Sequence, residues 1–228
     1  MNLEKAVFPA DYKLDVLVRE NTGVRNIPRW WHGAKRAIDV GVAAGALIAT
    51  APVLVLAAAA IAVVSPGSPV FLQPRVGKDG RLFRMWKLRT MDEGAHLLHE
   101  RMLPLSEVDG PVLKIRNDPR LHLLGALLRR TSIDELPNFI NVLRGEMSVV
   151  GPRPPLPSEV AHYDERALRR LRVKPGVTCL WQINGRSNVS FEHWMELDNR
   201  YIDSWTPLGD LGIIARTIPA VMRGDGAH

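Results

Sequence analysis

The chain has 228 residues, a formal net charge of +6 and a single cysteine, Cys179. That length allows one domain with a real core, or a domain with an appendage. One cysteine excludes an intrachain disulfide and fits a reducing compartment, and nothing resembles a zinc cluster. The basic balance suits an anionic partner: phosphates, nucleic acid or an acidic lipid surface.

Residues 1–31 mix charges with isolated apolar residues and include Pro9 and Pro28. They read as an arm with little regular structure, too polar for a signal peptide. Trp30 and Trp31 lie beside Arg29, Lys35 and Arg36. Such a pair suits a membrane–water boundary, or simply anchors a core. Residues 40–64 carry no charge, and about 25 residues can span a bilayer. Pro52 sits mid-run, where proline removes a backbone hydrogen bond and kinks or breaks a helix. Basic residues flank both ends: Arg29, Lys35 and Arg36 before, Arg75, Lys78, Arg81 and Arg84 after. The positive-inside rule places both flanks on the cytoplasmic side. A helix that enters, breaks at Pro52 and leaves by the same face satisfies both features.

Residues 65–69 break that helix with two prolines and a glycine. Residues 70–73 and 81–88 then predict two strands of a hairpin, turning at residues 77–80. Lys87 and Arg89 share a face if the stretch is extended, where two cations could meet a diphosphate, although the pattern alone favours the solvated face of a hairpin. Residues 92–105 predict a helix, with His96 and His99 as surface residues. Residues 108–118 read as a loop, and 121–128 as a short amphipathic helix for a membrane surface or a core.

The densest stretch is Ser132-Ile133-Asp134-Glu135-Leu136-Pro137-Asn138, preceded by Arg129 and Arg130. A carboxylate can be a covalent nucleophile towards phosphorus. Its neighbour can hold a divalent cation that neutralises phosphate charge. Ser132 and Glu135 also fit a capping box, and acids in a first helical turn are favoured by the dipole. Residues 136–143 continue as a helix. Arg153 is held between Pro152 and Pro154, a rigid arginine suited to phosphate capture or a plain loop. Residues 160–173 predict an arginine-rich helix. Trp181, Gln182, Asn184 and Arg186 around Gly185 suit a nucleobase or sugar, or a buried turn. Two further helices are predicted over 192–205 and 208–222. The chain reads as α+β and mostly helical: a helix-break-helix membrane segment, then a domain with a small β-hairpin and amphipathic surface helices.

Five stretches together resemble a known family. They are Lys35-Arg36-Ala37-Ile38-Asp39, Lys87-Leu88-Arg89-Thr90-Met91, Ser132-Ile133-Asp134-Glu135-Leu136-Pro137-Asn138, Gly151-Pro152-Arg153-Pro154 and Trp181-Gln182-Ile183-Asn184-Gly185-Arg186. In this order they are similar to the bacterial sugar transferases that prime glycan assembly, the monotopic phosphoglycosyl transferases. The resemblance runs from about Lys35 onward. The short arm before the membrane helix is most similar to the compact exopolysaccharide-priming members.

The resemblance implies transfer of a sugar 1-phosphate from a UDP-sugar, a hexose such as galactose or glucose, to undecaprenyl phosphate. Asp134 would be the nucleophile, releasing UMP, and Glu135 would hold Mg²⁺. Lys87, Arg89, Arg129, Arg153, Gln182 and Arg186 would bind substrate and phosphate, and Pro52 would break the re-entrant helix. Asp134, near Arg129 and the cation, is expected to stay ionised. The family usually has serine before that proline, where this chain has Ala51. The implied organisation is an arm over 1–34, a re-entrant helix over 35–65 and a catalytic domain over 66–228. The implied place is the cytoplasmic face of the bacterial inner membrane, with its lipids and downstream glycosyltransferases as partners. Nucleic acid is not an expected partner, and a homodimer is left open. A membrane-anchored basic domain without chemistry, or a scaffold for glycan assembly, would explain the charge and the apolar run but give Asp134 and Glu135 no task.

Overall fold

One 36-residue helix, α1 (Arg29–Val64), threads the whole apolar run. The structure is a computed structural model and describes residues 27–92, 94–106, 115, 118–183 and 190–223. The expected arm up to residue 26 lies outside the described residues, and residues 29–34 already belong to α1. The helix runs continuously through Pro52, so the expected helix-break-helix is one helix. The proline removes a single i→i−4 bond, leaving the Ile48 carbonyl without its usual donor. Thr50 Oγ1 donates to the Ala46 carbonyl at 2.7 Å, a hydroxyl on the preceding turn of a kind that bends helices. Among the described residues, α1 alone is long and apolar enough to cross a membrane.

Both ends of α1 dock on the same protein body. At the start, buried Asp39 accepts from Ser148 Oγ and the Val149 amide, each at 2.8 Å. Lys35 Nζ reaches Asp210 Oδ2 at 2.6 Å and the Val150 carbonyl at 3.0 Å. Arg36 donates to the carbonyls of Val142 and Leu143. Lys35 and Arg36, two of the cations counted as a membrane flank, are therefore spent on protein. At the far end Ile61 packs with Leu88 and Leu128. Trp31 lies edge-on to Trp205 at 5.6 Å, whereas Trp30 is exposed, so the tryptophan pair divides between core and surface.

The hairpin forms as predicted but longer. β1 (Val70–Val76) pairs antiparallel with β2 (Leu82–Leu88), from Val70 opposite Leu88 to Val76 opposite Leu82. Asp79, with φ 54°, turns the chain between them. After the hairpin, the helix expected over 92–105 is broken into single turns. The loop expected over 108–118 lies largely outside the described residues. Helix α2 (Leu123–Arg130) and helix α3 (Asn138–Arg144) flank a 3₁₀ turn, Ile133–Glu135. The capping box is absent: Ser132 has φ 56° and caps nothing with its side chain. This left-handed residue reverses the chain between α2 and the turn, a geometry a serine N-cap does not have.

A second sheet was not foreseen. β3 (Ser148–Val150) pairs parallel with β4 (Gly176–Thr178). Three-residue strands carry too little alternation to be read from sequence. A Cβ on Gly176 would lie 2.1 Å from the Gly151 nitrogen, so the close approach requires glycine. The arginine-rich helix over 160–173 is instead two single turns and a 3₁₀ stretch. Helices α4 (Phe191–Ser204) and α5 (Pro207–Arg223) complete the body. The main core joins Ala43, Phe83, Met85, Val142, Met147 and Val150 to Tyr201, Ile202 and Ile213. Each buried Val, Ile, Phe or Met side chain among them contributes about 1.5–3 kcal/mol of transfer free energy. Ile48, Val55 and Leu56 of α1, Leu123 and Leu127 of α2, and Leu208 and Ile218 of α5 are exposed.

Candidate active site

Residues 133–144 form a nearly unbroken helical path, because Leu136 and Pro137 keep right-handed helical angles between the 3₁₀ turn and α3. That path presents Asp134 and Glu135 against the end of β2. Asp134 is 6% exposed; among the described residues its carboxylate forms no ion pair and no hydrogen bond to another side chain, and only its own backbone N–H supports it. A buried carboxylate without a committed partner is costly to the fold, and the surrounding cations offset part of that cost.

Lys87 Nζ donates to Glu135 Oε1 at 2.8 Å. Burial acts to raise the Glu135 carboxyl, but Lys87, then Arg153 and Arg75, outweigh it and hold the pKa below the usual range. Asp134 goes the other way. Burial, helped by the Glu135 charge, outweighs Lys87 and Arg129 and pushes it from 3.8 up to about 7. Full ionisation was expected from the neighbouring cations; burial was the factor left out. The two carboxyls are therefore driven apart, as in sites where adjacent acids take different tasks.

Arg129 sits at the end of α2, half-buried, and its Nε donates to Thr90 Oγ1 at 3.1 Å. Burial lowers its pKa, and Asp134 is the charge that most counteracts this. Arg153 reaches Glu159 at 3.4 Å and lies over the Trp194 ring at 5.5 Å. Lys87, Arg129 and Arg153 thus lie within electrostatic reach of the acidic pair.

Arg89 does not join them. It is buried and donates to the carbonyls of Ser65, Pro66 and Gly67, binding the end of α1 to the end of β2. A phosphate contact was expected for it, yet the structure engages its guanidinium with backbone. Gln182 accepts from Cys179 Sγ at 3.4 Å, and no contact among the described residues ties it to Asp134 or Glu135. Arg186 lies outside the described residues.

Sequence reasoning missed Arg75, read only as a flanking charge. It is buried, donates to Gln73 Oε1 and the Pro154 carbonyl, and acts on Glu135. Burial, with Arg153 beside it, lowers it from 12.5 to about 9. It also missed Asn141, whose Oδ1 accepts from the Trp86 amide and whose Nδ2 donates to the Arg84 carbonyl. This residue fixes α3 to β2 and so sets where Lys87 meets Glu135. Asn138, one turn beyond Asp134, is buried with Oδ1 unpartnered. The i, i+4 spacing from Asp134 was the available signal for it.

No group of three or more His, Cys, Asp or Glu side chains could hold a metal among the described residues. Mg²⁺ needs no such cage, because one or two carboxylates suffice when phosphate oxygens and water complete the shell. Glu135, held ionised, with Asp134 adjacent, fits that pattern.

A family model described as "Bacterial sugar transferase" matches residues 30–224. The chain is 41% identical over 199 residues to "Exopolysaccharide production protein ExoY" of Rhizobium meliloti, covering 86% of this chain and 88% of that one. It is 44% identical over 162 residues to "Galactosyl transferase CpsE" of Streptococcus agalactiae, covering 71% of this chain and 36% of that protein. It is 39% identical over 196 residues to "UDP-glucose:undecaprenyl-phosphate glucose-1-phosphate transferase" of Escherichia coli, covering 81% of this chain and 39% of that protein. The chain thus spans about two-fifths of the length of the latter two and most of the first. With five motifs in family order and the match running through α1 to α5, the chain belongs to the bacterial sugar transferase family.

Proposed function

We propose that the protein transfers a sugar 1-phosphate from a UDP-hexose to undecaprenyl phosphate, priming exopolysaccharide or a related glycan. The observation that carries this reading is Asp134: buried, uncommitted, next to an ionised Glu135 and ringed by Lys87, Arg129, Arg153 and Arg75. In the first step an Asp134 oxygen attacks the sugar-bearing phosphorus. The bond from that phosphorus to the bridging oxygen breaks, and UMP leaves with the electron pair. In the second, an oxygen of the lipid phosphate attacks the same phosphorus, and the bond to Asp134 breaks. Asp134 is restored and the lipid carries a diphosphate-linked sugar. Lys87 keeps Glu135 ionised, and the arginines take up phosphate charge, Arg153 from a rigid proline-flanked loop. Mg²⁺ at Glu135 would supply charge neutralisation of the diphosphate.

The same reading places α1 as a re-entrant helix on the cytoplasmic face of the inner membrane. Asp39 and Ile61 are 22 residues apart, a rise of about 33 Å in a straight helix, against a hydrocarbon core of about 30 Å. A spanning helix would put them at opposite faces, yet both pack on one body. The exposed apolar side chains of α2 and α5 suit the same surface. Lys35, Arg36, Arg75, Arg89 and Arg170 are engaged within the protein, so part of the basic charge is not presented to a nucleic acid.

The test is UMP release by the full chain in detergent with Mg²⁺, undecaprenyl phosphate and a panel of UDP-sugars. Release with one or two donors, together with a sugar-phosphate adduct on Asp134, supports the reading. No release over the panel from folded protein overturns it. For topology, tags at Met1 and His228 should both be cytoplasmic; a periplasmic Met1 would rule out re-entry.

A further inference from the structure

Lys87-Leu88-Arg89-Thr90 is a positioning strip at the end of β2, and three of its members already have tasks. Lys87 pairs with Glu135, Leu88 enters the core, and Arg89 holds the end of α1. Thr90 is the member the reaction has not absorbed. It is buried, and its backbone is fixed from two sides. The His122 amide donates to the Thr90 carbonyl at 3.2 Å. Helix α2 packs onto that carbonyl so closely that a Cβ on Gly125 would lie 1.9 Å from it. The hydroxyl accepts the Arg129 Nε at 3.1 Å. Among the described residues no other hydrogen bond of the Arg129 guanidinium occurs, and none of them takes up either terminal nitrogen.

We propose that Thr90 is a positioning residue for the transfer: it tethers Arg129 by Nε and so presents the two terminal N–H₂ groups as a fixed fork to a phosphoryl oxygen beside Asp134. A free arginine side chain loses rotamer entropy on binding, and a pre-set fork loses less. The tether uses Nε and so leaves the two terminal N–H₂ groups for end-on bidentate phosphate binding. The close packing of Gly125 on Thr90 ties the fork to the position of α2. This inference rests on the transfer reading, in which Arg129 contacts phosphate.

The experiment is a double-mutant cycle on donor-dependent UMP release, with Thr90→Val, Thr90→Ser and Arg129→Ala. Thr90→Val keeps shape and burial but loses the acceptor, and should lower release about tenfold or more. Thr90→Ser restores the acceptor and should stay within about threefold of wild type. In the Arg129→Ala background Thr90→Val should add less than about twofold. A merely structural threonine would give an additive loss that serine does not preferentially rescue, and that outcome overturns the proposal. Arg129→Ala at wild-type rate overturns it too. No release from wild type overturns the transfer reading, whereas an active wild type with additive, unrescued Thr90 variants overturns this inference alone, so the two failures are distinguishable. The Arg129 Nε–H resonance in wild type needs no variant: slow exchange is expected, and fast exchange overturns the tether.

Discussion

Replacing Asp134 by Asn separates chemistry from stability, and the structure sets both signs. Burial raises the Asp134 carboxyl from 3.8 to about 7. An acid with a raised folded value binds its proton more tightly when folded. Its stabilising contribution is complete below the unfolded value and is lost by the time pH passes about 7. Asparagine has the same shape and no such loss. Each pH unit crossed between the unfolded and folded values costs the wild type about 1.4 kcal/mol. Between pH 5 and pH 8 the wild type crosses about two pH units of that window, so the variant should gain about 2–3 kcal/mol relative to it. For a chain of this size that is roughly 5–10 °C in Tm. The assay is thermal unfolding of both proteins in detergent with EDTA, at the two pH values, alongside UMP release. Release should fall at least about 10³-fold with the nucleophile gone. A stability gap that is the same at both pH values would refute the buried, uncommitted carboxylate. Release that survives would refute its role.

Other outcomes follow from neighbouring features. Glu135→Gln should abolish Mg²⁺-dependent release and weaken Mn²⁺ binding, read by water relaxation; unchanged Mn²⁺ affinity would move the cation site elsewhere. Arg170→Ala should cost about 3–5 kcal/mol, because it leaves Asp198, 2.7 Å away and buried, as an isolated charge. Burial pushes Asp198 up to about 6, so acidifying to pH 5 should recover part of that loss, and chemical denaturation at the two pH values checks it. Ser132→Gly should be neutral or stabilising by up to about 1 kcal/mol and Ser132→Val clearly destabilising, since φ there is 56°; equal effects would remove the strain argument. Gly125→Ala should lower Tm and UMP release together, because the new Cβ meets the Thr90 carbonyl at 1.9 Å and must push α2 and Arg129 off their places.

The acidic pair and Arg153 were legible because the acids are consecutive and the arginine lies between prolines, whereas Lys87, 48 residues from Glu135, was assigned to the site through the family resemblance. The hairpin was legible because its alternation and turn are local. Arg89 misled because alternation places it beside Lys87 on one strand face, while its reach to the carbonyls of Ser65, Pro66 and Gly67 depends on where α1 ends. Arg75 and Asn141 act across 79 and 57 residues of chain, and no spacing rule encodes such contacts. The helix misread over 160–173 has a similar origin. Arg170 there is not a surface charge but one half of a buried pair with Asp198, and it lies over the rings of Tyr163 and Trp194.

The placement of charge links these cases. Part of the basic charge is not a surface field. Arg36 and Arg89 donate to backbone carbonyls at the ends of helices, where a cation is favoured. Lys35 and Arg170 neutralise buried Asp210 and Asp198. Once these are spent, the cations that act on Asp134 and Glu135 are Lys87, Arg129, Arg153 and Arg75. Four positive charges against Asp134, Glu135 and Glu159, the partner of Arg153, leave an excess beside the buried Asp134. An anionic substrate with two phosphates would balance that excess. The same arrangement explains why Asp134 is tolerated at a cost to stability: the site is electrostatically incomplete until phosphate arrives.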